Sequence, residues 1–394
     1  MPWQPRDIMN QRTEFALKAL QTDNFRALCR EYGISAKIGY KWLARFKEEG
    51  MSGMGDQSRR PRSSPESLGE EVVCRMIKLK ERHRFWGPRK IREVYLRQWG
   101  EAPSESSFKR VLERCGLTEK RKLRRSQEAG RIATGRKALA PNEVWSVDFK
   151  GWWHDPEGRC DPLTVRDEYS CYLLELRALP NAKTETVKAC FERLFERHGL
   201  PGAIRSDNGP PFACAHGLMG LSRLSTWWLA NGVDLERSRP GCPQDNGAHE
   251  RMHRDIAREL ERAGYAERQA ALETWRCEFN EERPHETLGM KVPAEIYLPS
   301  ARRWGGTPEQ IVYRRMSTRK VNRSGHIKHE GETIFVSQAL AGWNIGLSTR
   351  TDGNIDVYFA QLLLGVMEPQ TAAFIPAVPA KSAQSETSPL ITSE

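Results

Sequence analysis

Residues 143–150 read E-V-W-S-V-D-F-K, an apolar run in which one carboxylate, Asp148, stands among Trp145, Val147 and Phe149. β-Branched and aromatic residues suit a pleated strand. An acid in such a strand is costly to bury unless it is paired, hydrogen-bonded or bound to a cation. Asp148 is therefore a candidate for chemistry rather than packing. Working outward, P-L-T-V-R-D (162–167), Y-L-L-E-L-R-A-L (172–179), A-I-R-S-D (203–207) and V-D-L-E-R-S (233–238) read as further strands. Helical patterns fall at 185–198, 218–231, 248–264 and 268–283. Strands interleaved with helices in this order imply an α/β domain over 141–300 with a mixed sheet.

Two more acids can reach the same sheet edge. Asp207 ends a strand just before Asn208-Gly209, and Glu250 opens a helix after the loop R-P-G-C-P-Q-D-N-G-A-H (239–249). Taken singly, Asp207 suits a turn and Glu250 suits a helix N-terminus. Asp245, inside the loop, is a rival third acid. Together, hard oxygen donors with few His or Cys favour Mg2+ or Mn2+. Two such ions would stabilise the attacking and leaving oxygens of a phosphoryl transfer. Asn208, Asn246 and His253 are secondary site candidates, beside Gln244, His249 and Arg251. Turn and capping roles suit Asn208 and Asn246 equally well. Arg283 and His285 could contact phosphate or pin the last helix to the sheet, and Trp227 and Trp228 suit the core.

Charge divides the chain. Residues 1–140 carry 32 basic and 17 acidic side chains, whereas 141–300 carry 20 and 26. A basic N-terminal third joined to a mildly acidic domain points to a polyanion-binding module. In S-A-K-I-G-Y-K-W-L-A-R-F-K (35–47) the spacing places Ile38, Trp42 and Phe46 on an inner stripe. Ser35 serves as N-cap, Lys37, Tyr40, Lys41 and Arg45 face outward, and all five are candidate DNA contacts. With Gly33 breaking the chain after the preceding helix, residues 1–55 read as a helix-turn-helix whose second helix enters the major groove. A Gly/Ser/Pro/Arg-rich linker (51–65) leads to a second helix-turn-helix-like set at 66–118, with Gly87-Pro88 and Ser104 as helix starts and Ser107 as an alternative cap to Ser104. Its candidate DNA contacts are Arg89, Lys90, Arg92, Ser106, Lys109 and Arg110. Residues 119–140 form a basic linker.

Short β runs separated by Gly turns between 308 and 368 suggest a small all-β barrel, and the Ala/Pro/Ser/Thr-rich tail, 369–394, is expected to be disordered. Nine Cys stand singly with no Cys-x-x-Cys pair, so neither a zinc ribbon nor a disulfide framework is indicated. No apolar run spans a bilayer, no signal peptide is evident, and no Walker-type motif suggests ATP hydrolysis. A bacterial cytoplasmic, nucleoid-associated location is expected.

V-W-S-V-D-F, R-S-D-N-G-P-P-F (205–212), R-P-G-C-P-Q-D-N-G-A-H-E-R-M-H (239–253) and E-E-R-P-H-E-T-L-G-M-K-V-P-A-E-I-Y (281–297) resemble, in this order, the catalytic blocks of retroviral-integrase-like DDE transposases from bacterial insertion sequences. The resemblance covers about 143–297 and implies an RNase H-like core holding two Mg2+ or Mn2+ ions. It assigns Asp148, Asp207 and Glu250 as ligands. It implies binding to the terminal inverted repeats of an element, 3′-end cleavage, strand transfer into double-stranded target DNA, and a dimer or larger homo-oligomer. One departure stands out: Asp207 and Glu250 are 43 positions apart, several more than is commonest in that family, with the excess in 213–228. A DNA-binding regulator that no longer cuts and a structure-selective nuclease are the rival classes.

Overall fold

A computed structural model describes residues 8–58, 68–118, 136–239, 247–260, 267–371 and 373–377. They fall into two compact units, one ending at Gly69 and one starting at Glu70. In the first, α1 (Ile8–Gln21), α2 (Phe25–Glu31) and α3 (Ala36–Glu49) enclose Phe15, Leu28, Cys29 and Trp42. Ser35 caps α3 by accepting the Ile38 N–H at 3.4 Å. The inner stripe of α3 differs from the expected one. Gly39 and Trp42 are buried, while Ile38 is 44% exposed. The cause is close approach: a Cβ on Gly39 would stand 2.6 Å from Cys29 Sγ and 3.0 Å from the Phe15 ring. The helix turns its smallest residue inward and rotates Ile38 out.

In the second unit, α4 (Glu70–Arg82), α5 (Pro88–Trp99) and α6 (Glu105–Arg114) form a three-helix group, with Gly87-Pro88 and Ser104 at the helix starts as expected. This group packs against the α/β segment that follows it. His83 Nδ1 lies 2.7 Å from Glu278, Arg82 bonds Glu282 at 2.8 Å, and Arg97 bonds Glu295 at 2.6 Å.

The α/β segment is built on β1 (Val144–Phe149). A hairpin of β2 (Trp153–Asp155) and β3 (Gly158–Cys160) follows, then β4 (Pro162–Asp167), β5 (Leu173–Ala178), α7 (Thr184–His198), β6 (Ala203–Ser206), α8 (Arg223–Ala230), β7 (Asp234–Arg237), α9 (Gly247–Glu259) and α10 (Arg268–Cys277). The sheet order is β5-β4-β1-β6-β7, with β1, β6 and β7 parallel and β4 and β5 antiparallel. Trp145 and Val147 on β1 join Phe191 and Phe195 of α7 and Trp227 and Trp228 of α8 in one apolar cluster. Ser146, between them, points the other way and hydrogen-bonds His249 of α9 at 2.8 Å. The period-two alternation of a strand thus places α9 on the opposite face.

The C-terminal strands do not close into the expected barrel. β8 (Ser317–Lys320), β11 (Asn344–Thr349), β12 (Ile355–Phe359), β13 (Leu362–Glu368) and β14 (Ala373–Pro376) form an open antiparallel sheet, and β9 (His326–His329) with β10 (Glu332–Phe335) forms a separate hairpin. Among the described residues the four-residue edge strands β8 and β14 each pair on one side only, and the β9–β10 hairpin packs beside both without joining the ladder. Residues 311–316, expected as a strand, are not one; Tyr313 lies across Gly346, where a Cβ would sit 2.5 Å from its ring. Residues 373–376 of the tail, expected as disordered, pair with β13.

The extra residues before Glu250 have a use. Leu221 is buried in the apolar cluster of the C-terminal sheet, with Leu218 and Met219 packed beside it. The long 213–228 segment thus forms a seat for that sheet.

Candidate active site

β1 and β6 run parallel, with Ser146 opposite Arg205. Two residues further along each chain stand Asp148 and Asp207. Two carboxylates therefore leave the sheet at the carboxyl ends of neighbouring parallel strands, where open α/β sheets place their ligands. Val144 to Val147 are buried, and the strand emerges at half-buried Asp148. Burial first, and the charge of Asp207 second, push the Asp148 carboxyl from its usual 3.8 up to about 7. Asp161 and Glu250 add to the repulsion, and a hydrogen bond from the Phe149 N–H opposes it.

The loop bearing Asp207 is held from below. Asp207 Oδ1 accepts the Gly209 N–H at 3.2 Å, and Asn208 donates to the Ser238 carbonyl at 2.7 Å. Arg237 donates to Ser206 Oγ at 2.6 Å and to the Phe212 carbonyl at 2.8 Å. Burial lowers its guanidinium to about 10, against the pull of Asp207. Sequence reading missed Arg237; the one signal was its alternation with Leu235 along β7.

Glu250 is exposed on the first turn of α9, and the residue before it anchors that turn. His249 is fully buried, bonding Ser146 Oγ at 2.8 Å and Thr164 Oγ1 at 3.0 Å. His253 Nε2 lies 2.8 Å from the same Thr164 hydroxyl, which donates to the Asp148 carbonyl at 2.9 Å. Burial holds His249 well below its ordinary value, and burial with Lys150 lowers His253 to about 4. His253 and Asp148, 4.0 Å apart, are thus not an ion pair at neutral pH, since burial favours the uncharged form of each. Further along α9, Arg283 bonds Asp255 at 2.6 Å and stands 3.5 Å from Glu259, pinning this helix to the segment after α10.

Asp148 and Asp207 are brought together, with Glu250 within electrostatic reach. Among the described residues no three His, Cys, Asp or Glu side chains gather closely enough to hold an ion. Asn246, Gln244 and Asp245 lie outside the described residues. Of the expected DNA contacts in the first unit, Lys37, Tyr40 and Lys41 are exposed on α3, while the Ser35 hydroxyl is spent on its cap and Arg45 bonds Gln57 at 2.8 Å. In the second unit Arg89 pairs with Glu105 at 2.6 Å and Arg92 donates to the Pro103 carbonyl at 2.8 Å. Ser106 bonds Ser104, and Lys109 and Arg110 are exposed. Lys90 is half-buried and faces the α/β segment.

Residues 138–243 and 231–293 match two models described as integrase core domains. The chain carries an integrase core. Ahead of that core, 11–62 match a helix-turn-helix domain and 38–112 a homeodomain-like domain. An uncharacterized 31.7 kDa protein of insertion element IS407 from Burkholderia multivorans is 28% identical over 240 residues, covering 59% of this chain and 83% of that protein. An uncharacterized 39.2 kDa protein of insertion element IS476 from Xanthomonas euvesicatoria is 24% identical over 254 residues, covering 62% and 70%. The catalytic core domain of BIV integrase is a solved structure with 26% identity and a TM-score of 0.32, covering 40% of this chain and 93% of that one. With matches to helix-turn-helix domains ahead of matches to an integrase core, the chain is similar to proteins of bacterial insertion elements. No described helix is long and apolar enough to cross a membrane.

Proposed function

We propose that this chain is a DNA transposase that binds the terminal inverted repeats of its insertion element, cleaves at the 3′ ends and joins them to target DNA. The observation carrying this reading is the paired exit of Asp148 and Asp207 from adjacent parallel strands, with Asp148 pushed up to about 7 by burial and by Asp207. Such mutual repulsion is the state that a divalent cation relieves, and the donor set is all oxygen, which suits Mg2+ or Mn2+. Asp148, Asp207 and Glu250 would hold two such ions. When bound, these supply Lewis-acid activation and neutralise the charge that builds on a phosphoryl group in flight.

The chain's own residues supply position. Arg237 and Asn208 hold the Asp207 loop, and His249 and Arg283 hold the helix of Glu250. Lys37, Tyr40, Lys41 and Arg45 on α3 read the element ends, and the exposed face of α6 adds backbone contacts through Lys109 and Arg110. Joining two ends at once calls for a dimer or larger assembly.

The test is strand transfer into a supercoiled plasmid, using DNA with the element's own ends, with Mg2+ or with EDTA. Joined product that requires the metal and disappears in Asp148→Asn, Asp207→Asn and Glu250→Gln supports the reading. Tight binding to the ends with no cutting or joining under either metal would refute it in favour of a regulator. Cleavage without joining would point to a nuclease.

A further inference from the structure

A cavity of about 530 Å3 lies between α5, the first turns of α9 and the segment after α10. That volume falls in the range that takes a small ligand or one nucleotide unit. Five cationic side chains line it against two carboxylates, Asp255 and Glu286. Their partners are few. Lys90 carries neither a hydrogen bond nor an ion pair among the described residues. Arg166 and Arg283 are 6% and 5% exposed, and each keeps a buried nitrogen, Nη1 and Nε respectively, without a hydrogen-bond partner. Asp255 is already engaged by Arg283 at 2.6 Å.

The electrostatics agree. Burial and the charge of Arg283 lower the Lys90 ammonium to about 8. Burial, followed by the charges of Lys90, Arg283 and Arg166, holds the His285 imidazole down to about 3. Glu168 stands 3.7 Å from Arg166 and Glu259 3.5 Å from Arg283, so these two have anions nearby, whereas Lys90 has no such partner among the described residues. A cation without a partner, beside buried guanidinium donors that lack a hydrogen bond, is the chemistry of a phosphate receptor.

We infer that this cavity takes a backbone phosphate of the DNA strand being processed, with Lys90 as its principal contact and Arg166 and Arg283 at its floor. This rests on the transposase reading. A DNA strand is favoured over a free anion because of position. Ala248 and Arg251, which flank Glu250 in the chain, line the cavity mouth with Arg254, so a strand seated there runs past the catalytic helix. The second helical group thereby contributes a phosphate contact from its inward face rather than from an outward recognition helix.

The test uses the full chain in EDTA, so that binding is read without cleavage. The probes are a short fluorescent DNA duplex of arbitrary sequence, inorganic phosphate and a deoxynucleoside monophosphate. For Lys90→Gln the expected result is weaker duplex binding on every sequence, with the slope of log K against log salt smaller by about 0.9, the value for one lost phosphate contact. Lys90→Arg restores both. An unchanged slope and affinity in Lys90→Gln overturns the inference, as does tight monophosphate binding that Lys90→Gln abolishes while the duplex slope stays put, since that marks a small-anion site. Asp148→Asn, assayed for joining in Mg2+, separates the two ideas. Joining lost in that variant with Lys90→Gln binding normally leaves the transposase and refutes the cavity. Joining retained with the Lys90→Gln slope reduced leaves the phosphate site and refutes the catalytic reading.

Discussion

Replacing Asp148 by Asn should make the catalytic unit more stable above neutral pH while abolishing chemistry. In the folded chain this carboxyl titrates near 7 instead of 3.8. A carboxyl raised on folding binds its proton more tightly in the folded state. It therefore costs nothing below 3.8, and its penalty grows as pH climbs from 3.8 to about 7 and is constant above. Three units correspond to a ceiling of about 4 kcal/mol at about 1.4 kcal/mol per unit. The side chain is 24% exposed, so solvent screening reduces this, and about 2 kcal/mol is the working figure. For a unit spanning Glu70–Glu394 that is roughly 3 °C in Tm. The assay is calorimetric melting of both proteins in EDTA at pH 5 and pH 8.5. The gap between variant and wild type should open in favour of the variant at the higher pH. Adding Mg2+ at pH 8.5 should raise the wild-type Tm more than that of the variant. Identical pH dependence in the two proteins would refute the repulsion on which the site rests.

Other outcomes follow from packing and hydrogen bonds. Truncating fully buried His249 to Ala removes bonds to Ser146 and Thr164 and should cost about 2–4 kcal/mol in melting. Strand transfer should then fall further than the loss of folded protein explains, measured at a temperature where both stay folded. Gly39→Ala drives a methyl toward Cys29 and should destabilise the first unit by about 1–3 kcal/mol. Binding to the element ends should weaken while the melting of the second unit stays unchanged. Leu221→Ala opens a cavity where the 213–228 segment meets the C-terminal sheet, with a cost of about 2–4 kcal/mol. Limited proteolysis should then release that sheet faster than in the wild type.

Much of this molecule was written locally. V-W-S-V-D-F makes a strand because its side chains favour a pleated, buried surface, and its lone acid announces itself by being out of place there. Ser35, Gly87-Pro88 and Ser104 start helices because caps and first-turn prolines act within four residues of chain. Such features need no knowledge of the rest of the fold. Where Glu250 begins, and that Asp148 and Asp207 belong together, came from block order.

Contacts between distant segments were not legible. The inward turn of Gly39 depends on how near Cys29 and Phe15 approach, which no helical period encodes. The Gly-punctuated β runs suited a barrel or an open sheet alike, because closure depends on whether the β9–β10 hairpin joins the ladder at the edge strands β8 and β14, and among the described residues it only packs beside them. Lys90 looked like an outward DNA contact because its helix was read alone. Docked on the catalytic segment, the same side chain faces Arg166 and Arg283. The sequence by itself determined the strands of the α/β sheet, the capped helix starts and the basic N-terminal third, since each follows from short-range preference or composition. Tertiary structure alone decided which face each helix buries, what the long segment before Glu250 supports, and how far burial and neighbouring charge move the Asp148 carboxyl, because those depend on distances between residues far apart in the chain.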